Sequence, residues 1–256
     1  MMKRSPLLPA LLAAALPLAS HAYPNGPTQY VTDMLPACAS CHAVRDKGYM
    51  PEMPAAYAEG ELPEAKHYGM VRAQLPPSPY LELTDEEKKR IIEQAEQIDK
   101  EASVAIQAPA EAKRGEKITL TIRARGGNGP AIGLMLVDKP YRYQARPLTA
   151  DGWQIATAPR VRGQGGKEQS TWLDMRIKGT PRNLGFILVM EQRYEPAKGV
   201  VPEGEITYTL VAPKEKGEYT VTAAFLYGTE NASHAGFFQR PSGRILFSEP
   251  HRIKVR

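Results

Sequence analysis

The chain has 256 residues, 42% hydrophobic and 24% charged, with a formal net charge of +5. That length suits two modest domains or one large one. Charges of both signs are interspersed with no long basic run, which excludes nucleic-acid or membrane-surface binding of the polybasic kind.

The first segment reads as an export signal. Lys3-Arg4 forms a charged n-region, Leu7 to Leu18 an apolar h-region, and Ser20-His21-Ala22 supplies small residues before a cleavage point at Tyr23. Cleavage removes two positive charges and no acid. No later stretch is apolar for the length a membrane span needs. The expectation is a protein without a membrane span, located in the periplasm or otherwise exported.

Both cysteines of the chain lie in Cys38-Ala39-Ser40-Cys41-His42. C-x-x-C-H is the attachment pattern for a c-type haem. The two thiols sit about one helical turn apart, so both can bond one porphyrin while His42 ligates the iron from below. A redox disulfide leaves the adjacent histidine unexplained, and no second C-x-x-C or H-x-x-x-H completes a zinc site. The expected cofactor is one covalent haem c, with Cys38 and Cys41 as thioethers and His42 as proximal ligand.

A Pro- and Gly-rich tract runs from Gly48 to Pro79 and leads into the clearest helix. Thr84-Asp85-Glu86-Glu87 is a capping box, with acidic residues suited to the positive helix end. Glu86/Arg90 and Glu96/Lys100 are spaced as i,i+4 pairs. Leu83, Ile91, Ile92, Ala95 and Ile98 form an apolar stripe expected to lie against a haem-bearing helix.

From Tyr23 to Glu101 these features resemble a mono-haem, class I-like c-type cytochrome domain. Such domains open with a C-x-x-C-H helix and close with a helix introduced by a turn like Leu83-Thr84-Asp85-Glu86-Glu87. Leu75-Pro76-Pro77 is similar to the segment that carries the distal methionine in many members, but Leu75 stands where they have Met. The sixth-ligand candidates are therefore Met70, nearest the expected position, then His67, Met53 and Met50. A distal side with none of these leaves the iron open to small molecules.

Beyond Ser103 the pattern changes to short β-type runs: Val104–Ile106, Lys117–Arg123, Ile132–Val137, Trp172–Ile177, Gly185–Met190, Glu205–Val211, Tyr219–Tyr227 and Arg252–Val255. Ile118, Leu120 and Ile122 alternate with polar neighbours, and Gly/Pro clusters separate the runs, as in a β-sandwich. Pro213 to Val221 resembles the approach to a tyrosine corner, and Pro109 to Ile118 resembles an immunoglobulin- or fibronectin III-like opening. The region shows no catalytic pattern. Its histidines are His234 and His251, and Gly163-Gln164-Gly165-Gly166 lacks the Lys-Ser/Thr of a phosphate loop. Trp153, Trp172, Phe237 and Phe238 belong to core or to a docking patch, with Trp172 expected in the core.

The expected fold is thus two-domain. A signal peptide (1–22) precedes a small all-α cytochrome c-like domain (23–102) and an all-β Ig-like sandwich (103–256). The resemblance implies an exported mono-haem cytochrome whose task is single-electron transfer. Its sandwich would dock on a redox partner: a dehydrogenase, an oxidase or another cytochrome. Two alternatives stay open, a haem-based sensor or enzyme with an open iron position, and a structural subunit of an exported redox complex.

Overall fold

The computed structural model describes residues 42–76, 78–170, 184–230 and 242–256. The signal peptide, Cys38, Cys41, the expected strand at Trp172–Ile177, and His234, Phe237 and Phe238 lie outside them. The described residues form two sheets.

The larger sheet runs β1 (His42–Val44), β11 (Gly243–Phe247), β10 (Gly217–Gly228), β12 (His251–Val255), β3 (Glu111–Ala112), with β5 (Asn128–Val137) on β10 and β8 (Phe186–Val189) on β5. β11 and β12 pair with successive halves of the long β10, while β5 takes its other side. The smaller sheet runs β2 (Ser103–Gln107), β4 (Lys117–Arg125), β9 (Glu203–Val211), with β6 (Gln154–Ile155) and β7 (Arg160–Arg162) both on β9.

Period-two alternation builds the core between the sheets. On β4, Ile118, Leu120, Ile122 and Ala124 turn inward while Lys117, Thr119, Arg123 and Arg125 are exposed. β9 repeats this with Gly204, Ile206, Tyr208 and Leu210. They meet Leu134, Leu136, Ala223, Phe225 and Ile253 of the larger sheet, with Trp153 buried among them. Tyr219 Oη donates to the Glu215 carbonyl at 3.0 Å, the upstream back-bond of a tyrosine corner.

β5, β8 and the second half of β10 are buried on both faces. Their outward residues Met135, Val137, Phe186, Leu188, Ala224 and Leu226 form a second cluster with Ile245, Phe247, Val44, Met50 and Ala58. Residues 49–62, with α1 (Ala55–Gly60), therefore form a third layer on the larger sheet. They are followed by a π-helical turn (Glu64–Tyr68) running into α2 (Gly69–Arg72), and by α3 (Asp85–Glu101).

The expected capping box starts α3, with Thr84 and Glu87 bonding reciprocally. Ile98 enters the inter-sheet core, and the chain passes through Ala102 directly into β2. Gly126, at φ +103°, lies so close to Ala102 that a Cβ would sit 2.6 Å from its Cα.

The two-domain fold class is corrected here. Among the described residues there is no separate all-α cytochrome domain. His42–Val44 is a strand pairing in parallel with Gly243–Ile245, not the end of a haem-bearing helix. The partner is about two hundred positions away, so local spacing does not reveal the pairing. The stripe of α3 likewise packs toward the sandwich, with Ala95 and Ile98 fully buried.

Candidate functional site at the edge of the larger sheet

His42 opens β1, the edge strand beside β11. Parallel pairing puts its side chain on the same face as residue 243. That residue is glycine, and the imidazole lies across it. A Cβ there would come within 2.6 Å of Nδ1 and 2.8 Å of Cγ and Cε1.

His42 is only 5% exposed, and its Nδ1 lies 3.1 Å from the Arg244 carbonyl. A carbonyl only accepts, so Nδ1 carries the proton and Nε2 the lone pair. Burial pushes the His42 pKa down to about 4; the Arg244 carbonyl opposes this, and the charges of Arg142, Arg244 and Lys66 add to it. The ring is therefore neutral at ordinary pH.

The backbone of His42 is held as well. Arg142 Nη2, from the β5–β6 connection, donates to the His42 carbonyl at 2.7 Å. Arg142 is fully buried and pairs with Glu61 at 2.5 Å, which also takes Lys66 at 2.8 Å. The Arg142 backbone N–H donates to the Tyr49 carbonyl at 2.8 Å, tying the same connection to the third layer.

Behind Arg244 lies a buried polar network. Its Nε donates to Asp99 Oδ2 of α3 at 3.0 Å, and its Nη2 lies 3.0 Å from His67 Nδ1. A guanidinium only donates, so His67 Nδ1 accepts and Nε2–H donates to Glu230 Oε1 at 2.9 Å. Tyr80 and Thr229 hydroxyls also donate to Glu230, each at 2.6 Å. Tyr227 donates to Asp99 at 2.9 Å, and Tyr68 lies under the guanidinium, 5.7 Å from its ring centre. Burial pushes the Glu230 pKa up, but the bonds from His67, Thr229 and Tyr80 outweigh it and hold it below the usual carboxylate value.

The sixth-ligand candidates are dispersed. Both ring nitrogens of His67 are committed to Arg244 and Glu230. Met50 is buried in the outer cluster and Met53 packs against it. Met70 is half-buried in α2, outside both apolar clusters. His251 is half-buried, with Nε2 3.3 Å from the Pro109 carbonyl. Among the described residues no group of three His, Cys, Asp or Glu is placed to hold a metal ion.

Sequence reasoning missed Arg142, Glu61, Asp99, Glu230 and Arg244. One signal was available. Gly243-Arg244-Ile245-Leu246-Phe247 is a β-type run with a single charge in it, and Arg244 is fully buried there.

No family model and no curated protein matches the chain. Solved structures do match at low identity. One is a CARDB domain from Pyrococcus furiosus, 12% identical over 60% of this chain and 94% of that one, TM-score 0.27. Another is the C-terminal domain of the Streptococcus agalactiae AgI/II polypeptide BspA, 9% identical over 60% of this chain and 50% of that one, TM-score 0.32. A third is CfaE, the adhesive subunit of CFA/I fimbria of enterotoxigenic Escherichia coli, 11% identical over 60% and 48%, TM-score 0.24.

The resemblance to a c-type cytochrome domain is overturned by the fold, which is mostly β with three α-helices among the described residues. With it falls the single-electron-transfer cytochrome with a docking sandwich. The sensor and redox-subunit alternatives, built on the same domain, fall too. No helix among the described residues is long and apolar enough to cross a membrane.

Proposed function

We propose that the chain is an exported β-sandwich protein that carries one covalently bound haem beside the edge strand of its larger sheet. The observation behind this reading is the 3.1 Å contact between His42 Nδ1 and the Arg244 carbonyl. It fixes the neutral tautomer with its lone pair on Nε2, and a carbonyl partner on the second ring nitrogen is how a protein orients a metal-ligating imidazole. The donor set fits the group. His42 follows Cys41 directly in Cys38-Ala39-Ser40-Cys41-His42, so thiols and imidazole belong to one short stretch.

In this reading Cys38 and Cys41 would hold the porphyrin and His42 would ligate the iron. When bound, the haem would supply an iron that changes between two oxidation states. The chain's own residues orient and shield: Arg244 holds the ring proton through its carbonyl, Gly243 leaves room for the ring face, and Arg142 holds the backbone. Met70 is proposed for the sixth position, because His67 is bonded on both nitrogens and Met50 and Met53 fill the outer cluster.

The test is the intact mass of the mature protein exported by a bacterial host that attaches haem to such motifs. The expected product begins at Tyr23 and carries the mass of one haem, lost when Cys38 and Cys41 are changed to Ala. An exported chain with a Cys38–Cys41 disulfide and no haem overturns the reading.

A further inference from the structure

We infer that Arg142 and Arg244 form a two-point clamp on His42, and that Arg142 is a positioning residue for that histidine. The inference takes its purpose from the haem reading, but its geometry stands apart from it. One arginine grips the His42 carbonyl through its side chain at 2.7 Å. The other grips the ring through its own carbonyl at 3.1 Å. A residue held at its backbone and at its ring has its χ angles set between two fixed points.

Both arms are themselves anchored. Arg142 and Arg244 are fully buried, where a guanidinium is tolerated only when paired. Arg142 is paired by Glu61 and Arg244 by Asp99, so each arm has a carboxylate behind it, from the third layer for Arg142 and from α3 for Arg244. Arg142 reaches His42 across one hundred residues and Arg244 across two hundred and two. Residues far along the chain therefore hold the orientation of His42.

Arg142 makes both contacts through one nitrogen: Nη2 meets the His42 carbonyl at 2.7 Å and Glu61 at 2.5 Å. A lysine ammonium can donate to the same two oxygens, but on a flexible stem with no fixed plane. Arg142→Lys is expected to retain part of the clamp and Arg142→Gln to lose it.

The experiment uses the full chain in two forms. In the Cys38→Ala/Cys41→Ala chain, which takes no haem, 15N NMR of the histidines reads the His42 tautomer and the solvent exchange of its Nδ1 proton. The expected result is one slowly exchanging Nδ1 proton. Its exchange should be faster by about tenfold in Arg142→Gln, partly restored in Arg142→Lys, and unchanged in Arg160→Gln, a surface control. Should Arg142→Gln fail to fold, Glu61→Gln decides, since it strips Arg142 of its carboxylate and should accelerate exchange in the same way. Unchanged exchange in a folded Arg142→Gln or Glu61→Gln chain overturns the clamp.

In the second form, with the cysteines intact, Arg142→Gln should keep its covalent haem by mass and shift the g-values of the oxidised iron in electron paramagnetic resonance. A haem-loaded variant with unaltered g-values counts against the clamp. A haem-free wild type would overturn the haem reading alone and leave the NMR result to decide the clamp.

Discussion

Gly243 is the point where the β11 backbone and the His42 ring touch, and any side chain there collides with three ring atoms at 2.6–2.8 Å. Gly243→Ala is expected to destabilise the protein by about 1–3 kcal/mol, read as a lower denaturant midpoint with an unchanged slope. Glu230 gives a pH signature. Its folded pKa lies below the ordinary 4.5, so its contribution is fully present above that value and lost as pH falls through the lower folded value. Glu230→Gln should be less stable at neutral pH, and stability measured between pH 5 and 2 should lose part of its acid-side slope. An unchanged slope would show that the carboxylate is not held as described. At this scale His42 stands out in the sequence because two cysteines and a histidine form a dense local pattern. Arg142 and Arg244 were not, because a single arginine in a loop or β-type run has no local mark of being buried and paired.

At the scale of elements, what was legible was what depends on neighbours in sequence. The Thr84 box satisfies donors within one turn, and the alternation on β4 and β9 needs only the two-residue period of a strand. Thr84→Ala is expected to cost about 1 kcal/mol, seen as a lower thermal midpoint; no change would mean that tertiary packing alone holds the start of α3. β1 escaped because three residues, His42-Ala43-Val44, carry no period. What makes them a strand is Gly243–Ile245 on one side and, for Val44 N–H, the Glu61 carbonyl at 3.1 Å. β11 escaped for a related reason. Its short run follows Gly-, Asn- and Ser-containing sequence that reads as loop, while its order comes from β10.

At the scale of the molecule, the sequence turns mainly to β-type runs near residue 102, but residues from both sides of that point pack together. Val44, Met50 and Ala58 sit in one apolar cluster with Phe186, Leu226 and Phe247, and Ile98 joins the inter-sheet core. The double burial of β5, β8 and half of β10 was visible as unbroken apolar runs such as Phe186-Ile187-Leu188-Val189. Such runs require a covering layer on each face. Reading the first hundred residues as an independent helical domain left that second face without a cover, a conflict the third layer resolves. The central claim is that His42 is built into the sandwich. Amide hydrogen exchange on the full chain tests it most directly, at Ala43 in β1 and at Gly243 to Phe247 in β11. Slow exchange at Ala43, rising to the fast rate only when β11 also opens, is expected for paired strands. Fast exchange in β1 while β11 stays protected would show that the histidine's segment stands apart from the sheet.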